Sequence, residues 1–295
     1  MTNQYLQPSQ EHTVERRSWI FPGLLFLVAL GALYTDALRE LVSDWWNDPN
    51  YSHGFLVPLF SGFLVWQQRE KLKELTPQGN WWGLPVLLAG LAALVIGDIG
   101  AEHFLTKSSL IVVLAGLILF HFGTHIFWLL AFPLAFLFFM VPLPAIIFNF
   151  FAFPLQGIAA HNATWVLDLL GVPVLRDGNV IHLSHISLGV TEACSGIRSL
   201  VSLLALASAW AYLTLSGLWA KVVLVASAVP ITIAANAVRV VFTGLIGQWF
   251  GVEYAQGFFH FFEGWVIFLL AFGCLMGVYS LIQLSFGLKE YFGVE

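Results

Sequence analysis

Apolar residues along this chain come in long continuous runs separated by short polar or Gly/Pro-containing breaks, the pattern of helices that cross a bilayer. The runs cover Trp19–Leu38, Gly54–Trp66, Trp82–Ile96, Ser108–Phe122, Ile126–Val141, Ile197–Leu215, Leu218–Val238 and Phe261–Leu284. A spanning helix needs about 20 apolar residues to cross about 30 Å of hydrocarbon. The second run, at 13 residues, is short for that and contains Val57–Pro58, a candidate bend. An outer-membrane barrel would instead show strands of about 10 residues with alternating polarity. The runs here do not alternate. They predict an all-α integral membrane protein with about eight transmembrane helices.

Between Pro142 and Gly196 the pattern changes. Ile146–Leu170 is apolar but carries Asn149, Gln156, His161, Thr164 and Asp168, which at 100° per residue share a stripe of about 140°. That suits a helix lying at the interface or packed along the bundle better than a lipid-exposed span. Val172–Leu188 then reads as a small hairpin, with β-branched residues flanking the turn dipeptide Asp177–Gly178. Residues 142–195 are thus expected to form an extracytoplasmic or interfacial segment ahead of the sixth run.

Composition agrees with the pattern. Of 295 residues, 59% are hydrophobic and only 10% charged, against about 25% charged in an average soluble domain. The 16% aromatic content excludes intrinsic disorder. No basic cluster beyond Arg69, Lys71 and Lys73 is present, so no nucleic-acid partner is expected. Cys194 and Cys274 are the only cysteines, which excludes a disulfide scaffold. The positive-inside rule puts Arg16–Arg17 and the Arg69–Lys73 cluster in the cytoplasm, and counting spans forward adds Lys221 and Lys289. Both termini then face inward, residues 1–18 form a cytoplasmic tail, and the whole of 1–295 reads as one multi-pass domain. Arg16–Arg17 with the first run resembles a signal peptide, but without a small-residue cleavage site an uncleaved anchor is expected.

This topology brings three chemically unusual residues to the outer boundary. Cys194 lies in Thr191-Glu192-Ala193-Cys194-Ser195-Gly196-Ile197-Arg198, Arg239 in Asn236-Ala237-Val238-Arg239, and His260 in Gly257-Phe258-Phe259-His260-Phe261-Phe262-Glu263. Ionisable groups at membrane depth are costly and usually functional. A helix N-terminus favours the Cys194 thiolate, and Arg198 one turn on adds to the effect. His260 can donate a proton to a leaving amine, and Arg239 offers fixed donors for an oxyanion. Together they suit acyl transfer through a thioester. Blander readings stand beside this one: Arg239 as a snorkelling cation, His260 as an interface residue, and Cys274 as an inert small hydrophobe. His121 and His125 read as cytoplasmic loop residues. His182 and His185 lack a carboxylate or thiol to complete a metal set, and neither metal nor cofactor is called for.

Three stretches resemble the exosortase/archaeosortase family of multi-pass membrane transpeptidases: Asp48-Pro49-Asn50-Tyr51-Ser52-His53-Gly54 with Leu56-Val57-Pro58, Glu192-Ala193-Cys194-Ser195-Gly196-Ile197-Arg198, and Asn236-Ala237-Val238-Arg239 followed by the His260 segment. The resemblance runs from about Trp19 to Leu284. It implies an enzyme of the bacterial cytoplasmic (inner) membrane whose active site faces outward, acting on exported proteins of the PEP-CTERM type. Such substrates end in a Pro-containing motif, a transmembrane helix and a basic tail. Cleavage at the motif leaves a thioester, which passes to an envelope acceptor such as a lipid- or glycan-linked amine. The resemblance makes Cys194 the nucleophile, Arg239 the proton donor or oxyanion partner, and His260 a transition-state stabiliser. Glu192, Arg198 and His53 are expected to position substrate, and membrane lipids surround the whole. Two alternatives use the same residues: an intramembrane cysteine protease that releases product to water, and a transporter or binding protein. The second would typically show an inverted repeat, which is not visible. A glutamate-type metalloprotease is disfavoured because Glu-Glu pairs and a matching His set are absent.

Overall fold

The computed structural model describes residues 28–184, 186–190, 196–255 and 258–292. Most of these are helical. Among the described residues four helices are long and apolar enough to cross a membrane: His103–Phe122, Ile197–Thr214, Leu218–Phe250 and Gly264–Ser285, the last within a longer helix. A fifth span arises if Thr124–Met140 and Ala145–Leu169 count as one broken helix. The chain is a multi-pass helical membrane protein. Of the other runs expected to span, Gly54–Trp66 gives a helix of only 12 residues and Trp82–Ile96 one of 17. The start of the first run lies outside the described residues.

Two compact units divide the chain, Met1–Asn47 with Ser61–Val141 and Asp48–Phe60 with Pro142–Glu295. The first contains α1 (Thr35–Asn47), most of α2 (Leu56–Gln67), α3 (Arg69–Glu74), α4 (Gly83–Ile99), α5 (His103–Phe122) and α6 (Thr124–Phe136), which ends in a 3₁₀ turn, Leu137–Met140. Its centre is the antiparallel pair α4 and α5. Gly83, Gly90 and Gly97, spaced seven apart, face Phe120, Val113 and Thr106 of α5, and Gly116 faces Leu87 in return. A Cβ on Gly90 would lie 2.7 Å from Val113 Cγ2 and 2.9 Å from its backbone nitrogen, so the helices approach as closely as glycine permits.

α1 continues nine residues past the apolar run that predicted it, because its helical periodicity outlasts its hydropathy. Ala37, Leu41 and Trp45 are buried, while Glu40 and Asp44 meet α5. There the buried Lys107 places Nζ 2.6 Å from Asp44 Oδ2 and 3.5 Å from Glu40 Oε2, and His103 Nδ1 lies 2.8 Å from the same Glu40 oxygen. Each helix supplies its two groups four residues apart, on one face.

The second unit holds the 3₁₀ segment Pro49–Phe55, α7 (Ala145–Leu169), a three-stranded sheet, α8 (Ile197–Thr214), α9 (Leu218–Phe250), α10 (Val252–Ala255) and α11 (Phe258–Phe292). The sheet is β1 (Val174–Asp177), β2 (Val180–Leu183) and β3 (Ser187–Gly189), antiparallel in that order. Asp177 pairs with Val180, so the tight turn is Gly178–Asn179, one residue beyond the dipeptide the sequence suggested. Gly178 has φ +60° at the first turn position, where a type II′ hairpin needs glycine.

One apolar core joins α7 (Ala159, Ala160, Ala163, Leu167), the sheet (Ile181, Leu183) and α9 (Val240, Val241). A second joins α8 (Leu203, Ala207, Ala211), α9 (Leu224, Ala228) and α11 (Ala271, Leu275). Alanines form much of the second core and the α7 side of the first, as close helix packing in a membrane favours. The polar stripe expected on α7 divides: Gln156 is buried, whereas His161 and Asp168 are exposed.

Candidate active site

The segment from Asp48 to Phe55 is held onto the first turns of α8. Asp48 Oδ1 accepts the Asn50 backbone N–H at 2.8 Å and so caps the 3₁₀ helix. Asn50 Oδ1 in turn accepts from Arg198 Nε at 3.1 Å. His53 Nδ1 lies 3.5 Å from Ser202 Oγ, and the Tyr51 hydroxyl accepts the Leu143 N–H at 3.2 Å. Arg198 and Ser202 are four residues apart and share a face of α8. Two of the stretches that carry the family resemblance therefore meet in space. Arg198 is exposed and His53 half-buried, so both present polar atoms at the rim.

Cys194 and Glu192 lie outside the described residues, as do Thr191, Ala193 and Ser195. On the N-terminal side, Val190 is 1% exposed and exchanges backbone and side-chain hydrogen bonds with Asn179: its N–H donates to Asn179 O at 2.9 Å, and its carbonyl accepts Asn179 Nδ2 at 3.0 Å. The same amide donates to Gln156 Oε1 on α7 at 3.2 Å. The hairpin turn thus ties the incoming chain to α7. On the C-terminal side, Gly196 takes φ +79° and caps α8, its carbonyl accepting the Leu200 N–H at 2.8 Å.

Gly196 rests on Asn236 of α9. The two residues line a small cavity of about 10 Å³ with Leu155, Ala159, Leu200, Thr232 and Ile233, room for about one water molecule. The Thr232 hydroxyl is buried and has no hydrogen-bond partner among the described residues.

Arg239 follows Asn236 by three residues and lies near the same face of α9. It is half-buried, with 11 residues of helix still to come, Phe250 the last of them, so it does not end its helix as the hydropathy pattern suggested. Thr243 Oγ1 donates to the Arg239 carbonyl at 3.0 Å. The guanidinium reaches α11 at Gly264, where a Cβ would stand 3.5 Å from Nη2 and 3.7 Å from Cζ, ordinary van der Waals contact. His260 belongs to the same helix, four residues or about one turn before Gly264. Its side chain lies outside the described set.

One stretch of α9, Asn236 to Arg239, therefore comes close to both the residue two places after Cys194 and the residue one turn beyond His260. Arg198 and His53 gather instead around Asn50 and Ser202. Asn50, Ser202, Gly196 and Asn236 carried no assigned role in the sequence reading. Three of them sit inside the stretches singled out, where the signal was present but no chemistry claimed it. Among the described residues no cluster of His, Cys, Asp or Glu is arranged to hold a metal.

The family model described as transmembrane exosortase matches residues 45–277. No curated protein and no solved structure matches the chain.

Proposed function

Since the chain belongs to the transmembrane exosortase family, we propose that it is a membrane cysteine transpeptidase that cleaves the C-terminal sorting signal of exported proteins and passes them to an envelope acceptor. The observation that carries the proposal is the close approach of Asn236 to Gly196 and of Arg239 to Gly264, on one stretch of α9. It supports a site assembled from the Cys194 loop, Arg239 and the start of α11. In this reading the Cys194 thiolate attacks the scissile carbonyl at the N-terminal end of α8, where unpaired N–H groups favour negative charge. The tetrahedral oxyanion is met by Arg239, and His260 donates to the leaving amine or stabilises the same charge. The amide C–N bond breaks, the thioester holds the substrate, and an amine acceptor then displaces Cys194. No cofactor enters these steps.

Arg198, His53 and Glu192 are assigned to substrate positioning. The exposure of Arg198 and its attachment to Asn50 support this for the first two, since the bonded pair offers a fixed polar rim. The remaining assignments keep their separate grounds: the apolar runs suggest about eight spans in one multi-pass domain over 1–295, the positive loops put residues 1–18 in the cytoplasm and 142–195 outside, and the family resemblance suggests the bacterial inner membrane. Substrates are exported proteins with a Pro-containing motif, a transmembrane helix and a basic tail.

The test is co-expression of the full chain with exported proteins bearing candidate C-terminal signals. Shortening of the substrate that is lost in Cys194→Ala and kept in Cys274→Ala supports the proposal, and an acceptor attached at the new C-terminus distinguishes transfer from hydrolysis. Cys274 is exposed on α11, so its truncation is expected to cost little. Equal loss in both variants would assign the effect to packing and defeat the nucleophile.

A further inference from the structure

Two constraints meet at Gly196. Its left-handed backbone, φ +79° and ψ −3°, suits glycine and strains any residue with a Cβ. The space above it is also occupied: a Cβ there would lie 2.9 Å from Cγ, 3.0 Å from Cβ and 3.3 Å from Nδ2 of Asn236. Asn236 is only 5% exposed. Its side chain therefore sets how closely the start of α8 approaches α9, and hence where the chain just before α8 is delivered. Asn236 is also on the helix turn that carries Arg239. A single side chain is thus in contact with the turn after Cys194 and in register with the cation proposed to meet the oxyanion.

We propose that Asn236 is a positioning residue for the nucleophile, acting through Gly196, which stands two residues after Cys194 in the sequence and caps α8. The inference rests on the reading of Cys194 as nucleophile. Two consequences follow from it. The helix N-terminus favours a thiolate only over the first turn, so a turn released from its seat loses part of that effect. A displacement of about 1 Å between reacting atoms also costs about 100-fold in rate. A small uncharged side chain suits the position. Alanine leaves a gap under Gly196, and a longer side chain would push the turn away.

The experiment uses the full-length protein in a Cys274→Ala background, so that iodoacetamide reports on Cys194 alone. Alkylation rate against pH, cleavage of a sorting-signal substrate and the unfolding midpoint in detergent are measured together. Asn236→Ala is expected to raise the alkylation midpoint by about half a pH unit or more, toward the ordinary thiol value of about 8.5. Cleavage should fall by about 10- to 100-fold while the unfolding midpoint stays near the parent's. Asn236→Ser, which keeps a small polar group against Gly196, should recover part of both effects, and it carries the test if the alanine variant does not fold. An unchanged alkylation midpoint in a folded variant overturns the positioning role. So does a loss of cleavage that merely follows the unfolding midpoint. Cleavage retained by Cys194→Ala would overturn the nucleophile assignment itself, a result separate from either.

Discussion

Arg239 is a cation two-thirds of the way along an apolar helix of 33 residues, and its side chain lies against Gly264 of the neighbouring helix. A guanidinium held there keeps a planar fork of donors in fixed orientation, which an ammonium cannot reproduce. Arg239→Lys is therefore expected to lower cleavage by about 100- to 1000-fold, the usual loss of one oxyanion donor, while Cys194 stays open to alkylation. Loss of alkylation together with cleavage would make Arg239 a structural residue. His260 is separable by leaving group. If it protonates the departing amine, His260→Ala should impair an amide substrate far more than a thioester analogue, because a thiolate leaves without a proton. Equal impairment assigns it to charge stabilisation instead. At this scale residue type drew attention to Arg198 and Arg239, and the structure places the first on Asn50 and the second beside Gly264. The sequence reading assigned no role to Asn236, although that residue lies in a stretch it singled out, and it passed over Ser202; what each neighbours across the fold is not local information.

Among the elements, the α4–α5 pair shows how a glycine is read correctly only against its neighbour. Gly90 faces Val113 with no room for a side chain, whereas nothing stands within 4 Å of a Cβ on Gly277 of α11. Gly90→Val should destabilise by about 1–3 kcal/mol or more through forced separation of the helices. Gly277→Ala should be neutral, or stabilising by up to about 1 kcal/mol, from helix propensity. Thermal unfolding of the two variants in one detergent checks both signs. The spacing of seven from Gly83 to Gly90 to Gly97 is visible in the sequence, but a hydropathy profile records glycine as neutral and misses it. The same profile located α5 and α8 closely and ended α9 at Val238, 12 residues early. Asn236, Arg239, Thr243 and Gln248 lower its hydropathy without breaking the helix, because much of this stretch packs on protein: Val240, Val241, Gly244 and Gly247 are buried. The hairpin was legible because its turn chemistry is local.

For the molecule as a whole, α9 at about 1.5 Å per residue is about 50 Å long, well beyond the about 30 Å of hydrocarbon. If Leu218 starts near the cytoplasmic surface, as Lys221 suggests, Arg239 emerges at the opposite boundary. The topology is testable by single cysteines at Gln78 and Asn179 in a variant lacking Cys194 and Cys274. These should label from opposite sides with an impermeant thiol reagent, and labelling from one side would scatter the proposed site across the membrane. The central claim, that Cys194 carries the substrate as a thioester, is tested most directly by intact-mass analysis of the enzyme quenched in acid during turnover. The account predicts a covalent adduct of the substrate's N-terminal portion, located on Cys194, released by neutral hydroxylamine and absent from Cys194→Ala. Cleaved substrate accumulating with no such adduct, or an adduct that persists in Cys194→Ala, would contradict it.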